Sequence, residues 1–407
     1  MNRALHTFLF ILGSILLPTL CTRCLPTFSD SNIENVLLLL ISGTDNSLNI
    51  CSKTPQEVTQ PENGSTYLAY IQSITGNGSS GSPTVLYLTV STLQWGGPIL
   101  AANGSIYGVP YNSDKVLKVN PSSDTTTEIQ VSGITASNYF TFAYGFNDKL
   151  FAVPFGNSSV VPIFDPATDT GDLSTITSFP LANSNYYAGV SAPNGKIYFP
   201  PYGADEVMIL DPQTNSLDNS TITGLGAGPY KWMGGVLASN GKIYTIAKDS
   251  TEMLIIDPTS NTVDTSSITG LPGGNAYGGG ALAPNGKIYF VPRDANHVLI
   301  VDPATNSKDS TSITGFSGTT LYYGAVLGAD GRIYGIPRNS GNVLVIDPDT
   351  NSTTTIATVG IFLGGALASN GKIYAMPQSN DKVLVIDTKA NASFCDSVLR
   401  SGYMNKF

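Results

Sequence analysis

From residue 84 onward, short apolar runs alternate with glycine- and asparagine-rich breaks. The clearest stretch opens at Gly279 and reads GGALAPNGKIYFVPRDANHVLIVDPATNSKDSTSITG. Ala281-Leu282-Ala283 is a short apolar run behind two glycines. Pro284-Asn285-Gly286 predicts a hairpin turn, because Asn-Gly accepts the positive φ angles of a type I′ turn. Lys287 to Val291 is β-branched and aromatic, and Pro292 ends the ladder by removing a donor. Val298 to Val301 predicts a third strand, closed by Asp302-Pro303. Thr311-Ser312-Ile313-Thr314 predicts an outer fourth strand, ended by Gly315. The repeat region holds no 3.6-residue apolar period over three turns, so helices are not expected.

The stretch recurs. Its turn glycine, or the residue standing for it, lies at Gly104, Asp148, Gly195, Gly241, Gly286, Gly331 and Gly371, with spacings of 44, 47, 46, 45, 45 and 40 residues. A strand-rich period of this length marks a propeller blade rather than a helical solenoid. The expected fold class is all-β: a seven-bladed β-propeller of four-stranded antiparallel blades. The seventh copy runs from Asp387 into Lys389-Ala390-Asn391-Ala392 without an outer strand. Val85 to Thr89 is placed upstream of the first copy to supply it, so an N-terminal strand is expected to close the ring and remove its exposed edges.

Charged positions fix a register. Lys287 opens the second strand, and Asp302 ends the third fifteen residues later; with Arg293 to Asn296 as the loop, the two face each other. The same interval joins Lys196 to Asp211, Lys242 to Asp257, Arg332 to Asp347 and Lys372 to Asp387. Lys149 and Asp165 are sixteen apart, implying one inserted residue, and Ser105 and Asn120 replace both partners in the first copy. Facing charges contribute a few tenths to about 1 kcal/mol. The aspartates also suit Asp-Pro turns held by local backbone hydrogen bonds. The acidic row is therefore scaffold, not a catalytic or metal set.

The chain divides into an export signal over residues 1–24, a polar linker over 25–83 interrupted by Val36 to Ile41, the propeller over 84–387 and a tail over 388–407. Phe8 to Leu17 is too short to span a membrane and reads as a signal core. Cys21 and Cys24 lie where a bacterial lipoprotein carries lipid, although Leu20 and Arg23 precede them where a small residue is usual. The expected location is extracellular or on the outer cell surface, with contact to membrane only through such an anchor. Cys51 and Cys395 flank the ring; in an oxidising compartment they form a bridge or remain two free thiols. A net charge of −9 and a pI of about 4.6 argue against a nucleic-acid partner.

The string APNGKIYFVP…VLIVDPATN resembles the YVTN- and NHL-like propeller repeats of exported and cell-surface proteins, over roughly residues 84 to 387. That resemblance implies a rigid binding disc outside the cell: sometimes a lectin, sometimes a scaffold, occasionally a lyase. The aromatic positions depart from the YVTN pattern.

Nine residues before each turn position stands an aromatic: Trp95, Tyr139, Tyr186, Trp232, Tyr277, Tyr322 and Phe362. Seven residues after it stand Tyr111, Phe155, Tyr202, Lys248, Arg293, Arg338 and Gln378. Both loops open on one face, so an aromatic circle flanked by Lys248, Arg293 and Arg338 is the candidate ligand site. Aromatic faces stack on sugars or other flat ligands, and the cations would select a carboxylated or sulfated group. The alternative for the seven aromatics is packing between neighbouring blades.

Catalytic chemistry is sparse. Beyond the signal His297 is the only histidine, at a variable strand edge, and no Ser-His pairing, HExxH, Walker loop or CxxC pair occurs in the ring. No catalytic residue, metal ligand or cofactor is assigned. The expected role is a monomeric binding or interaction module for a glycan or protein ligand, the enzyme alternative being a polysaccharide lyase using Tyr and Arg on the same face.

Overall fold

The computed structural model describes residues 82–388, apart from 92–93, 135–138, 156–157, 181–185, 227 and 229. The described residues form 28 strands, from β1 (Thr84–Thr89) to β28 (Lys382–Asp387), and no helix. Five sheets are four-stranded; a sixth has eight strands, being two four-stranded sets joined by the single parallel bridge Gly97↔Thr141. The innermost strands of successive sets are β2 (Trp95–Leu100), β6 (Tyr139–Tyr144), β10 (Val190–Ser191), β14 (Trp232–Leu237), β18 (Tyr277–Leu282), β22 (Tyr322–Leu327) and β26 (Phe362–Leu367). Each neighbours the next, and β26 returns to β2. Antiparallel sheets arranged radially around such a ring are a β-propeller.

The expected closure is present. β1 pairs antiparallel with β28 along its whole length, from Thr84↔Asp387 to Thr89↔Lys382, and completes the sheet of β26 and β27 (Lys372–Pro377). The expected register also holds: β19 (Ile288–Pro292) pairs Ile288↔Val301 and Tyr289↔Ile300, which sets Lys287 opposite Asp302. In the second copy Leu150 faces Phe164, so the extra residue is absorbed by the loop.

Burial follows position in the sheet. β18 and β19 are buried throughout, since neighbouring sets cover both their faces, whereas the outer β21 (Ser307–Asp309) is half solvated. That is why the inner strands read as unbroken apolar and small residues. Gly278, Gly279 and Gly280 lie within β18 rather than before it. A Cβ on Gly279 would stand 2.8 Å from the Cα of Gly324 on the neighbouring inner strand.

Three local expectations are corrected. The Asn-Gly hairpin is not type I′: only Gly286 has positive φ (81°), Gly286 N donates to Ala283 O at 3.0 Å, and Ala283 N donates to Lys287 O at 2.8 Å. This is a type I turn followed by a left-handed glycine bulge, the common three-residue hairpin. The outer strand at 311–314 is split. β21 pairs with β20 (Leu299–Asp302), then the Asp309 carboxylate accepts the backbone N–H groups of Thr311 (2.8 Å) and Ser312 (3.1 Å). Pairing resumes beyond this turn, where Val298 N donates to Ile313 O at 3.0 Å, and Ile313 is buried. Asp172, Asp218 and Asp264 make the same turn, and hydrogen bonds from adjacent Ser and Thr groups hold all four carboxyls down at about 2.

The third correction concerns the facing charges. Lys149–Asp165 (2.5 Å), Lys242–Asp257 (3.3 Å) and Lys196–Asp211 (3.8 Å) form ion pairs. Lys372 instead reaches Asp124 of the first set at 2.5 Å, and Arg332 pairs with Asp330 at 2.6 Å. The aspartates hold their turns as expected; Asp302 Oδ1, for instance, accepts Ala304 N at 2.9 Å.

The turn asparagines fasten one set to the next. Asn285 Nδ2 donates to Pro348 O (2.9 Å) and to the Tyr289 hydroxyl (2.9 Å), and its Oδ1 accepts Lys287 N (3.0 Å). Tyr289 in turn donates to Asn351 Oδ1 at 2.9 Å, on a residue with φ of 55°. Asn103, Asn147, Asn194 and Asn240 reach Pro166, Pro212, Pro258 and Pro303 in the same way, and Asn370 reaches Pro121 across the closure. At the remaining seam Asp330 replaces asparagine, and the following turn carries Thr388 instead of proline. In the second set Phe151 stands where the others have tyrosine, and the buried Asn215 Oδ1 it would have reached has no partner.

Candidate functional site

The seven repeated aromatics are all buried, at 3% exposure or less. Most place their polar tip on a residue about twenty positions ahead, near the start of the third strand of the same set. Trp95 Nε1 donates to Lys115 O and Trp232 Nε1 to Glu252 O, each at 2.8 Å. The Tyr322 hydroxyl donates to Asn342 Oδ1 (3.1 Å) and that of Tyr186 to Glu206 Oε1 (3.1 Å). The Tyr139 hydroxyl shares a hydrogen with Ser158 Oγ at 2.9 Å, and Phe362 fills the same place without a polar tip. The expected aromatic circle at the mouth is therefore blade packing: amphipathic rings span each sheet with their hydroxyl or indole nitrogen satisfied inside. His297 belongs to this scheme. Its Nε2 lies 2.7 Å from the Tyr277 hydroxyl, and burial with the nearby Lys308 charge lowers its pKa.

The residue immediately after the aromatic is Gly96, Phe140, Tyr187, Met233, Gly278, Tyr323 or Leu363 in successive sets, and three of these, Phe140, Tyr187 and Tyr323, meet one another across the ring. Phe140 and Tyr187 have centroids 4.1 Å apart, and Phe140 lies 5.9 Å from Tyr323. The hydroxyls of Tyr187 and Tyr323 are hydrogen-bonded to each other, although three sets separate them along the ring. Burial and that contact push the Tyr187 phenol well up. Around this floor stand the loop residues expected on the same face. Tyr111 meets Phe140 edge-on (5.5 Å, 85°), Phe155 meets Tyr187 edge-on (5.2 Å, 89°), and Tyr202 lies 5.3 Å from Tyr187.

The three cations reach the same mouth, but they are not equivalent. Lys248 is buried, pairs with Asp249 at 3.1 Å, and places Nζ 4.1 Å from the centroid of Tyr230. Arg293 and Arg338 hold their guanidinium carbons 5.0 and 4.8 Å from the centroid of one ring, Tyr323. Among the described residues neither has a carboxylate within ion-pair distance, and Arg293 Nε is buried without a hydrogen-bond partner. Asn275 Oδ1 and Gln378 Oε1 are likewise buried and unpartnered on loops of this face. Such orphaned groups each cost about 1–3 kcal/mol.

The loops are laced together beneath these groups. Arg293 N donates to Ala276 O, Leu321 N to Arg293 O and Arg338 N to Leu321 O, at 2.8–2.9 Å. Two residues ahead of the repeated aromatic, Tyr230 and Thr320 take φ of 65° and 54°. A left-handed β-branched residue or bulky aromatic is a strained choice of the kind that gathers at binding sites. Sequence reasoning found the loop cations but passed over Phe140, Tyr187, Tyr323 and Tyr230. The signal available was variation: the position after each aromatic changes from Gly to Tyr around the ring, while the aromatic before it is constant.

No group of three or more His, Cys, Asp or Glu among the described residues could hold a metal ion, and no helix among them is long and apolar enough to cross a membrane. Cys21, Cys24, Cys51 and Cys395 lie outside the described residues, as do the signal and residues 25–81 of the linker.

A sequence family described as a repeat of unknown function (DUF6923) matches residues 122–321. No curated protein matches the chain. Among solved structures, a streptogramin B lyase is similar at 13% identity and a TM-score of 0.62, covering 76% of this chain and 99% of that one. The virginiamycin B lyase of Staphylococcus aureus is similar at 11% identity and a TM-score of 0.61, covering 75% and 99%. The extracellular domain of a putative one component system of B. thetaiotaomicron is similar at 12% identity and a TM-score of 0.56, covering 76% of this chain and 43% of that one. At these identities the likeness is one of fold, and the fold they share with this chain is the all-β propeller.

Proposed function

We propose that this chain is an exported or surface-attached binding module, a single seven-bladed propeller whose ligand presents a negative group to Arg293 and Arg338. One observation carries the reading: two guanidinium groups share the Tyr323 ring without a carboxylate partner among the described residues, and one has its Nε buried and unpartnered among them. A planar anion accepts from guanidinium groups in pairs, so a carboxylate, sulfate or phosphate on a glycan or a protein partner suits them. Lys248, tied to Asp249 and Tyr230, supports the wall of the site. Export rests on the short apolar core at residues 8–17, and the similar fold of an extracellular domain is compatible with it. The relationship to YVTN/NHL-type repeats belongs to this reading, as do a lipid on Cys21 or Cys24, a Cys51–Cys395 bridge and a monomeric state.

The lyase alternative draws on the same Tyr–Arg contacts and on the lyase folds. Its weakness is the base: the phenols of Tyr187 and Tyr202 are pushed up by burial, away from ready deprotonation.

The test is a binding screen of acidic and neutral glycans and acidic peptides, with the wild type and the Arg293→Ser/Arg338→Ser double variant. Binding to an acidic probe that weakens with salt and falls at least tenfold in the double variant, at an unchanged melting temperature, is the expected result. No binding to any acidic probe overturns the reading. New unsaturated ends on an acidic polymer would replace it with the lyase.

A further inference from the structure

The mouth is divided. The first three sets contribute Tyr111, Phe155 and Tyr202 at the loop position, over the floor of Phe140 and Tyr187. The next three contribute Lys248, Arg293 and Arg338 at that same position. Because the fold repeats, backbone geometry treats all these places alike, and the segregation comes from side-chain choice alone.

We propose that the ligand is an aromatic carboxylate, its flat apolar body lying against Tyr111 and Phe155 and its acid group held by Arg293 and Arg338. This rests on the anion-binding reading of the mouth and narrows its ligand class.

The argument is one of hydrogen-bond supply. A uronic acid or sulfated sugar brings several hydroxyls around its ring, and each needs a partner once covered. The aromatic half offers few. Two of its rings are phenylalanines and the Tyr187 hydroxyl is already engaged by Tyr323, so the hydroxyls this half brings to a ligand are those of Tyr111 and Tyr202, too few for a ring bearing a hydroxyl on most carbons. What the half offers instead is ring faces and edges: Tyr111–Phe140 and Phe155–Tyr187 meet edge to face, while Phe140–Phe155 and Phe140–Tyr187 are tilted at 53° and 37°, so faces and edges are both presented to a further aromatic ring. Tyr111 and Phe155 are half-buried, so their remaining exposed surface is what an incoming ring would cover.

The cationic half sets the other end. Lys248 is offset by Asp249, which leaves the two arginines as the charge presented to a ligand. Gln378, at the same position in the next set, has its Oε1 buried without a partner and would accept a donor such as a phenolic or alcoholic hydroxyl. The Tyr187–Tyr323 hydrogen bond joins the aromatic half to the ring that the two arginines share.

The probes are 4-hydroxycinnamate, its methyl ester and trigalacturonate, titrated calorimetrically into the full chain. The acid is expected to bind at least tenfold more tightly than both the ester and trigalacturonate. Arg293→Ser/Arg338→Ser should remove the preference over the ester, and Phe155→Ser should weaken the acid at least fivefold. Tyr111→Ser serves the same purpose if Phe155→Ser lowers the melting temperature. Arginine-dependent binding of trigalacturonate with none of the cinnamate overturns this inference and leaves the anion site standing. Binding of neither probe, or acid binding indifferent to both arginines, overturns the inference at its foundation.

Discussion

Asn285→Ala tests whether the seams between sets depend on the turn asparagine. The substitution removes two donated bonds, to Pro348 O and to the Tyr289 hydroxyl at 2.9 Å each, and the acceptor of Lys287 N at 3.0 Å. A net intramolecular hydrogen bond contributes about 0.5–1.5 kcal/mol, so three amount to roughly 2–4 kcal/mol. Some of this is recovered. Tyr289 keeps Asn351 as its acceptor, and Pro348 O keeps the Tyr289 hydroxyl at 3.2 Å. The expected loss is therefore about 2–3 kcal/mol, or a fall in melting temperature of about 5 °C for a chain of this size. Reversible urea unfolding should show it as a lowered midpoint with an unchanged slope. Asn285→Asp sharpens the test. Ionised, the new carboxylate keeps the acceptor but cannot donate to Pro348 O, and the deficit against wild type should match or exceed that of alanine at pH 7. As pH falls through the ordinary carboxyl range near about 4, protonation restores a donor and the deficit should shrink. A loss below about 0.5 kcal/mol for Asn285→Ala, or an Asn285→Asp deficit insensitive to pH, would refute the role given to the seam bonds.

Trp232→Ala should cost about 3–5 kcal/mol, because a fully packed ring leaves a cavity, whereas Trp232→Phe should cost far less, as Phe362 fills the same place in the last set; near-neutral Trp232→Ala in thermal melts would return the aromatics to the ligand surface. A chain starting at residue 92 lacks β1 and exposes the edge of β28, so it should aggregate, while one starting at residue 80 should fold; a soluble shorter chain with an unchanged melt would refute the closure. The carboxyls of Asp172, Asp218, Asp264 and Asp309 sit at about 2 in the fold against an ordinary 3.8, so their contribution is present above that ordinary value and lost as pH falls toward 2. Changing all four to Asn should flatten the acid limb of the stability–pH curve, and an unaltered limb would show these turns to be irrelevant to acid unfolding.

The repeat was legible because its determinants are local. Asn-Gly turns, β-branched runs and Asp-Pro stops recur at fixed spacing, and they specify strand order and the Lys287–Asp302 register without reference to distant residues, while the N-terminal closing strand shows only as the piece the seventh copy lacks. Where the sequence misled, a neighbour had intervened. Asn285 reads as a turn former, yet its side chain is engaged by Pro348 of the next set, 63 positions away. Trp232 reads as a candidate ligand contact because a pattern of loop positions says nothing about which way a ring swings; its indole nitrogen finds Glu252 O inside the same sheet. The mouth is a purely tertiary product. Tyr187 and Tyr323 are 136 residues apart and meet only because the ring closes, and Arg293 and Arg338 share one tyrosine because adjacent sets converge toward the axis. Sequence determined every set but the last within some forty residues, since their hydrogen-bonded strands and turns are contiguous; the last is completed from the other end of the chain. The centre belongs to the closed ring, whose curvature decides which side chains meet.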